Sequence, residues 1–248
     1  MDDLIKRAVE DIAAAKRVTA LTGAGISTES GIPPFRGKGG LWERFDPMEV
    51  AHIDAFMQDP ARIWDVLLKE MKTVVDTARP NDSHTGLKKL ENLGKLSTII
   101  TQNVDGLHQA AGSSDVIEFH GNFASHRCLD CQKQYASREV RLTHIPPRCD
   151  CNGILRPNAV FFGELIPPEA LRRSQKAATD CDLMLVLGTS AEVQPAAMMP
   201  VIAKNAGAAI IEINPQSTAL TGTVSDYLIK GKAGEVMNRI IAELEQIL

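Results

Sequence analysis

The sequence predicts an α/β fold, a parallel sheet with helices on both faces and two inserted segments, and three observations predict it. Short apolar runs recur at 17–21, 96–101, 116–119, 183–187 and 208–213, each the length of a strand buried on both faces. Stretches with helical periodicity at 60–76, 83–93, 168–179 and 196–206 separate most of them, and that alternation implies parallel strands joined by crossover helices. Segments 31–58 and 121–156 break the rhythm without a strand–helix pattern of their own.

Taken in order, residues 2–16 form an amphipathic helix with Leu4, Ile5, Ala8, Val9 and Ile12 on one face. The strand at 17–21 runs directly into Thr22-Gly23-Ala24-Gly25. Segment 31–58 combines Pro33-Pro34 with glycines and reads as a long loop leading into a helical excursion. Segment 121–156 holds four of the five cysteines and Pro146-Pro147, with too little apolar material for a core of its own. The chain closes on a helix over 234–248, with Val236, Ile240, Ile241, Leu244 and Leu248 sharing a stripe.

The 248 residues suit one large domain, or one domain with a small second lobe. Apolar residues make up 44% but aromatics only 4%, so the core is expected to be aliphatic. With 27 Lys+Arg against 31 Asp+Glu, the net charge of −4 argues against a surface spread for nucleic acid. No apolar run approaches the roughly 20 residues of a membrane span. The start, Met1-Asp2-Asp3-Leu4, lacks the basic-then-apolar order of a signal peptide, so a cytoplasmic protein without membrane or direct nucleic-acid partners is expected. No internal repeat indicates an oligomeric state.

Five groups of residues carry chemistry. In Thr22–Gly31 a glycine-rich turn follows a buried strand; Gly23 and Gly25 match the start of a dinucleotide fingerprint, with Thr28 in place of the third glycine. A tight structural turn accounts for such a partial match equally well. The stiff Gly31-Ile32-Pro33-Pro34-Phe35-Arg36-Gly37 that follows shifts the balance toward a ligand. Gln102, Asn103 and Asp105 stand just past a strand end, where open parallel sheets bind ligands; Asp105 also suits a helix cap. His120, at another strand end before Gly121, is placed for general-base work or for a structural role.

Cys128-x-x-Cys131 and Cys149-x-Cys151 form two chelating knuckles 17 residues apart. Four thiolates fill a tetrahedral zinc and leave no open position, so the site is expected to be structural. Its second knuckle is one residue tighter than usual. Cys181 precedes a core strand and reads as a small buried apolar residue. Gly188-Thr189-Ser190 and Asn214-Pro215 complete the set at two further strand ends.

The ordered combination GAGISTESGIPPFRG (23–37), TQNVDGLH (101–108), HG (120–121), the four cysteines, FGE (162–164), GTSAEVQPA (188–196), INP (213–215) and GKAGEV (231–236) resembles the sirtuins, over nearly the whole chain. The resemblance implies a Rossmann-like NAD-binding domain in three parts (1–35, 80–120 and 157–248), a mobile loop and helical insertion (36–79) and a zinc-binding lobe (121–156). It implies an NAD-dependent protein-lysine deacetylase. The acyl oxygen attacks the nicotinamide ribose as nicotinamide leaves, an alkylimidate forms, and the products are free lysine and O-acetyl-ADP-ribose.

Residue by residue, the resemblance makes His120 the general base, with Asn103 in the catalytic set. Gln102, Asn103 and Asp105 hold the nicotinamide ribose and carboxamide, and Gly23, Ala24, Phe35 and Arg36 form the loop that encloses NAD. Gly188, Thr189, Ser190, Asn214 and Ala233 surround the phosphates and adenosine. The acetylated peptide adds as a strand between Phe162-Gly163-Glu164 and the segment near Val193, and Val104, Val160 and Phe162 line the lysine tunnel.

Where relatives that remove acidic acyl groups carry a Tyr-x-x-Arg pair, this chain has Leu67 and Glu70. Poor desuccinylation is therefore expected. Mono-ADP-ribosyl transfer and removal of longer apolar acyl chains remain alternatives on the same site. A non-catalytic binding module leaves His120 and the 102–105 group without a purpose, and a dehydrogenase leaves the cysteine cluster without one.

Overall fold

The computed structural model describes residues 1–37 and 39–247. Strands β1 (Val18–Thr22), β2 (Leu96–Thr101), β3 (Val116–Glu118), β7 (Leu183–Leu187), β8 (Ala209–Asn214) and β9 (Tyr227–Lys230) form one sheet in the order β3-β2-β1-β7-β8-β9. Every pairing in it is parallel. All five residues of β1 and of β7 are buried, which is why these strands read as unbroken apolar runs rather than alternating ones. Successive strands are added outward from β1 on one side and from β7 on the other. The crevice of such a sheet opens at the carboxyl ends where that order reverses, between β1 and β7.

Helices Asp2–Ala14, Asp82–Asn92 and Ala233–Ile247 cover one face through Ile5, Ala8, Ile12, Leu87, Leu90, Val236, Met237 and Ile240. Leu248, expected on the last helix's stripe, lies outside the described residues. Helices Pro168–Asp180 and Met198–Asn205 cover the other face, where Cys181 is buried beside Met184, Val186 and Ile210. Among the described residues no helix is long and apolar enough to cross a membrane.

Three features depart from the expected elements. The glycine turn leads into a 3₁₀ helix, Ala24–Ser30, rather than an α-helix. Thr28 folds its hydroxyl back onto the Gly25 carbonyl, and Gly31 ends the segment in the left-handed region. Strand β9 was absent from the pattern because it is a short edge strand in which only Ile229 is buried. The expected helix over 60–76 is continuous from Pro60 to Thr77 but carries a π-helical stretch at Trp64–Leu68.

The inserted segments pack on each other. Short helices Leu41–Arg44, Pro47–Val50 and Ile53–Gln58 precede that long helical run. Beyond it, β4 (Ser125–Cys128), β5 (Gln134–Ala136) and β6 (Leu155–Pro157) make an antiparallel sheet in the order β5-β4-β6. One apolar cluster joins Val50, Phe56, Ile63, Trp64, Leu67 and Leu68 of the insertion to Phe123 and Phe161 at the edges of the lobe.

Candidate active site

Level strand ends set the geometry of the site. Thr22 pairs with Thr101 on one side and Leu187 on the other, and Leu187 pairs with Ile213. The residues that follow, Gly23, Gln102, Gly188 and Asn214, therefore emerge together. The loops after β1 and β7 touch backbone to backbone: Gly25 N–H donates to the Gly188 carbonyl at 2.8 Å. A Cβ on Gly25 would stand 2.7 Å from that oxygen, and one on Gly188, at φ +59°, would stand 2.5 Å from Ile26 N. These glycines are thus required by the crossing itself. The same crossing leaves the N–H groups of Ala24, Thr189 and Ser190 without a partner among the described residues, a set of donors suited to a diphosphate.

The 101–105 group is locked by its neighbours. Asn103 is buried; its Nδ2 donates to the Gly23 carbonyl and to Ser27 Oγ, both at 3.2 Å. Ser27 Oγ donates to Asp105 at 2.7 Å, and the other Asp105 oxygen accepts from Leu107 N at 2.9 Å. Asp105 is thus not the N-cap of the short helix Leu107–Ala110, a place taken by Gly106 at φ +72°, but it receives that helix's first N–H from one residue earlier and joins the site network at once. Gln102 Nε2 donates to Thr189 Oγ1 at 3.0 Å, and Asn214 Nδ2 donates to the Thr189 carbonyl at 3.3 Å, tying the ends of β2, β7 and β8 together.

Beneath this network lie two histidines that the sequence did not single out. His108 Nε2 sits 3.0 Å from Thr22 Oγ1, His84 Nε2 sits 3.5 Å from Ser27 Oγ, and the two rings meet edge to face at 5.0 Å. Burial pushes the His84 pKa down to about 4 and that of His108 to about 3. The available signal was Asn81-x-x-His84, a reciprocal helix cap that the structure contains.

His120 follows β3. Its Nδ1 lies 3.1 Å from the Gln102 carbonyl, which can only accept, so the neutral ring carries its proton there and leaves the Nε2 lone pair free. Burial, which favours the neutral ring, lowers its pKa against the opposing effect of that carbonyl. The His120 carbonyl accepts from Val160 N at 2.8 Å, so the segment leaving the lobe clamps the residue that enters it. Gly121, at φ +68°, is required because a Cβ would collide with the Asn158 carbonyl.

A cleft lined by Ala24, Ile32, Pro33, Phe35, Leu41, Glu70, Val74, Asn103, Val104 and Asp105 opens beside this centre. Phe35 stacks on Trp42 at 5.3 Å, and Arg36 pairs with Glu192 of the loop after β7 at 3.3 Å. Phe162 bonds through both backbone groups to Ala51 and Ile53, and the Glu164 carboxylate is held by Arg156 at 2.7 Å. Among the described residues the backbone groups of Gly163 and the N–H of Val193 stay without partners. Ala233 is buried at the start of the last helix, whose Gly234 N–H donates to Glu29 at 3.1 Å.

The four cysteine sulfurs lie within 4.8 Å of one another, with Cys128–Cys151 at 3.6 Å and Cys131–Cys149 at 3.5 Å. Zn–S bonds of about 2.3 Å place tetrahedral sulfurs about 3.8 Å apart, close to these separations and far from a disulfide. Tyr135 Oη, 3.0 Å from Cys149 Sγ, braces the tight second knuckle. The four thiols are placed to hold one structural zinc ion.

A dinucleotide-type sheet, polar residues gathered at its switch point and a histidine with a free nitrogen define a nucleotide-dependent enzyme of the α/β class. The Sir2 family profile matches residues 23–195, and the chain belongs to that family. NAD-dependent protein deacylase 1 of Archaeoglobus fulgidus is 45% identical over 244 residues, covering 98% of this chain and 99% of that protein. A crystal structure of a Sir2 homolog–NAD complex superposes with a TM-score of 0.89 at 45% identity, covering 98% of this chain and 94% of that one. A Sir2 structure with deacetylated p53 peptide and 3′-O-acetyl ADP-ribose superposes at 0.92 with 37% identity, covering 96% and 98%.

Proposed function

We propose that this chain is an NAD-dependent protein-lysine deacetylase that releases nicotinamide and forms O-acetyl-ADP-ribose. NAD-dependent protein deacylation is the activity named for its relatives, and this chain carries it. The observation that supports the finer reading is the His120 tautomer: a free Nε2, on a ring anchored to Gln102, beside the polar group that follows β2. When bound, NAD supplies a ribosyl carbon that becomes electrophilic as nicotinamide departs. His120 accepts a proton from the ribose hydroxyls. Asn103 and Asp105, oriented through Ser27, hold the nicotinamide ribose and carboxamide, with Gln102 beside them. Gly23, Ala24, Phe35 and Arg36 enclose NAD, and Phe35 excludes water from the reacting carbon.

Gly188, Thr189, Ser190, Asn214 and Ala233 take the phosphates and adenosine. The peptide adds as a strand through the unpaired backbone of Gly163 and Val193, with Phe162 and Glu164 holding that segment in place. Val104, Val160 and Phe162 form the apolar passage that admits an uncharged acyl-lysine. On this reading the chain divides at 1–35, 36–79, 80–120, 121–156 and 157–248. Its thiols, held as zinc ligands, fit a reducing cytoplasm.

The cleft favours a second reading, in which longer apolar chains are also removed: Ile32, Pro33, Leu41, Met71, Val74 and Val75 line it. Glu70 also lines it. Arg44 binds this carboxylate through both oxygens, at 2.9 and 3.1 Å, and holds its pKa below the usual range. An acidic acyl chain would meet there an ionised carboxylate whose arginine is already committed, and the cleft lining offers it no cation. The test is one peptide carrying acetyl, butyryl, octanoyl and succinyl lysine in turn, with NAD and mass detection of free lysine and nicotinamide. Apolar acyl groups are expected to leave and succinyl to persist. Succinyl removal at the acetyl rate would remove the role given to Glu70. ADP-ribosylated peptide without free lysine would favour ADP-ribosyl transfer.

A further inference from the structure

Glu212 is a buried carboxylate that the proposed chemistry does not use. It lies within β8, on the face of that strand opposite Ile211 and Ile213, and it is fully buried. Among the described residues it has no cationic partner; three hydroxyls from the following loop converge on it instead. Thr221 and Ser225 donate to Oε1 at 2.8 and 2.6 Å, and Thr218 donates to Oε2. Two of these hydroxyls also accept from the loop backbone: Thr218 Oγ1 from Leu220 N and Thr221 Oγ1 from Thr218 N, both at 3.0 Å.

A carboxylate offers only acceptors, so the Thr218 and Thr221 protons are directed at residue 212, and the Ser225 proton is shared between it and the Leu220 carbonyl at 3.2 Å. Hydrogen bonds to a charged acceptor in a buried setting are the stronger kind, and together they define one conformation of the loop. That loop reaches the site. Ala219 N–H donates to the Ser190 carbonyl at 3.4 Å, and Leu220 is buried in the same apolar cluster as Ala191 and Ala196.

We propose that Glu212 is a positioning residue for the dinucleotide: it pins the 215–225 loop against Ser190 and so preorganises the adenosine end of the NAD site. This inference rests on the assignment of residues 188–190 and 214 to the phosphates and adenosine.

The test uses the full chain with its zinc, comparing wild type with Glu212→Gln, Thr221→Val and Thr218→Val. Glutamine replaces an acceptor with a donor that faces hydroxyls already committed, so it disorders the loop. Expected are a rise of about tenfold in KM for NAD and in the ADP-ribose Kd by calorimetry, with kcat and the peptide KM within about twofold. The single threonine variants, which keep the carboxylate, are expected to give smaller rises of the same kind, and they carry the test if Glu212→Gln does not fold. Folded variants that bind ADP-ribose as wild type does would overturn the proposal, as would equal rises in the NAD and peptide KM. If wild type itself binds no ADP-ribose, the assignment of the site fails first, and that outcome is separable from loss of binding in the variants alone.

Discussion

In the sheet body, order comes from continuous aliphatic burial. Ile5, Ile12, Leu87, Leu90, Val236 and Ile240 close one face of strands that are themselves buried on both sides. In the cysteine lobe, the cluster that belongs to the lobe alone is Cys128, Val140, Cys149 and Leu155, with Tyr135 against it. Two aliphatic side chains contribute about 3–6 kcal/mol at full burial, whereas a four-thiolate zinc contributes an apparent 10–16 kcal/mol, roughly. The lobe's remaining apolar residues, among them Leu129, Leu142 and Ile154, serve the core shared with the helical insertion. Trp64 secures that junction by donating to the Leu155 carbonyl at 2.8 Å and stacking on His126. The body is thus self-sufficient and the lobe conditional, yet His120, the proposed base, lies at the seam between them.

Metal removal tests this division most severely. With zinc extracted by a strong chelator, or with Cys149→Ser, the lobe should lose its order and release the Val160–His120 clamp. Deacylation is then expected to disappear while far-UV circular dichroism keeps the body's cooperative thermal transition. Full activity in protein shown by metal analysis to be zinc-free would end the comparison, and so would loss of the body's transition along with the lobe.

His120→Ala separates chemistry from architecture at the same seam. Loss of a general base is expected to lower kcat by about 10²–10⁴-fold, with ADP-ribose affinity and zinc content unchanged. A variant that turns over like wild type would leave His120 a structural residue at a strand end.

The same contrast explains what could be read in advance. Strands buried on both faces and helices with a single apolar stripe have strong periodic signatures, so the 96–101 and 183–187 runs coincide with β2 and β7. Cysteine spacing made the metal site legible because chelation demands local pairs. What stayed hidden depends on pairing between distant segments. Strand β9 has too few buried positions to declare itself. His84 and His108 come together only because helix Asp82–Asn92 packs against the short helix Leu107–Ala110 that follows β2. Gly23 and Gly25 were legible as a turn; their contact with Gly188, which makes them necessary, spans more than 160 residues.

Gly188→Ala challenges the body where its two halves cross. The residue holds φ +59°, and its new Cβ would press on Ile26 N. A loss of about 2 kcal/mol or more in urea unfolding is expected, with zinc retention unaffected because the lobe is remote from that contact. Unchanged stability would mean that the loops after β1 and β7 can part at little cost.

Acid sharpens the comparison within the body itself, with a smaller effect per step. His84 and His108 are held neutral, with pKa values of about 4 and about 3, against about 6.5 in an unfolded chain. Between those values the unfolded chain binds protons that the folded one does not, so stability is present near neutrality and falls as pH drops below about 6.5. The slope is at most about 1.4 kcal/mol per pH unit for each ring while the folded ring stays neutral. The urea midpoint of the body should therefore decline from pH 7 to pH 5; a flat profile would mean that the pair is hydrated or already charged. His120 is shifted in the same direction by burial, with a consequence for rate rather than stability. Its ring stays neutral further into acid than a free imidazole, so the acidic limb of kcat/KM should fall below about 6.5, and a limb well above that value would assign the titration to another group.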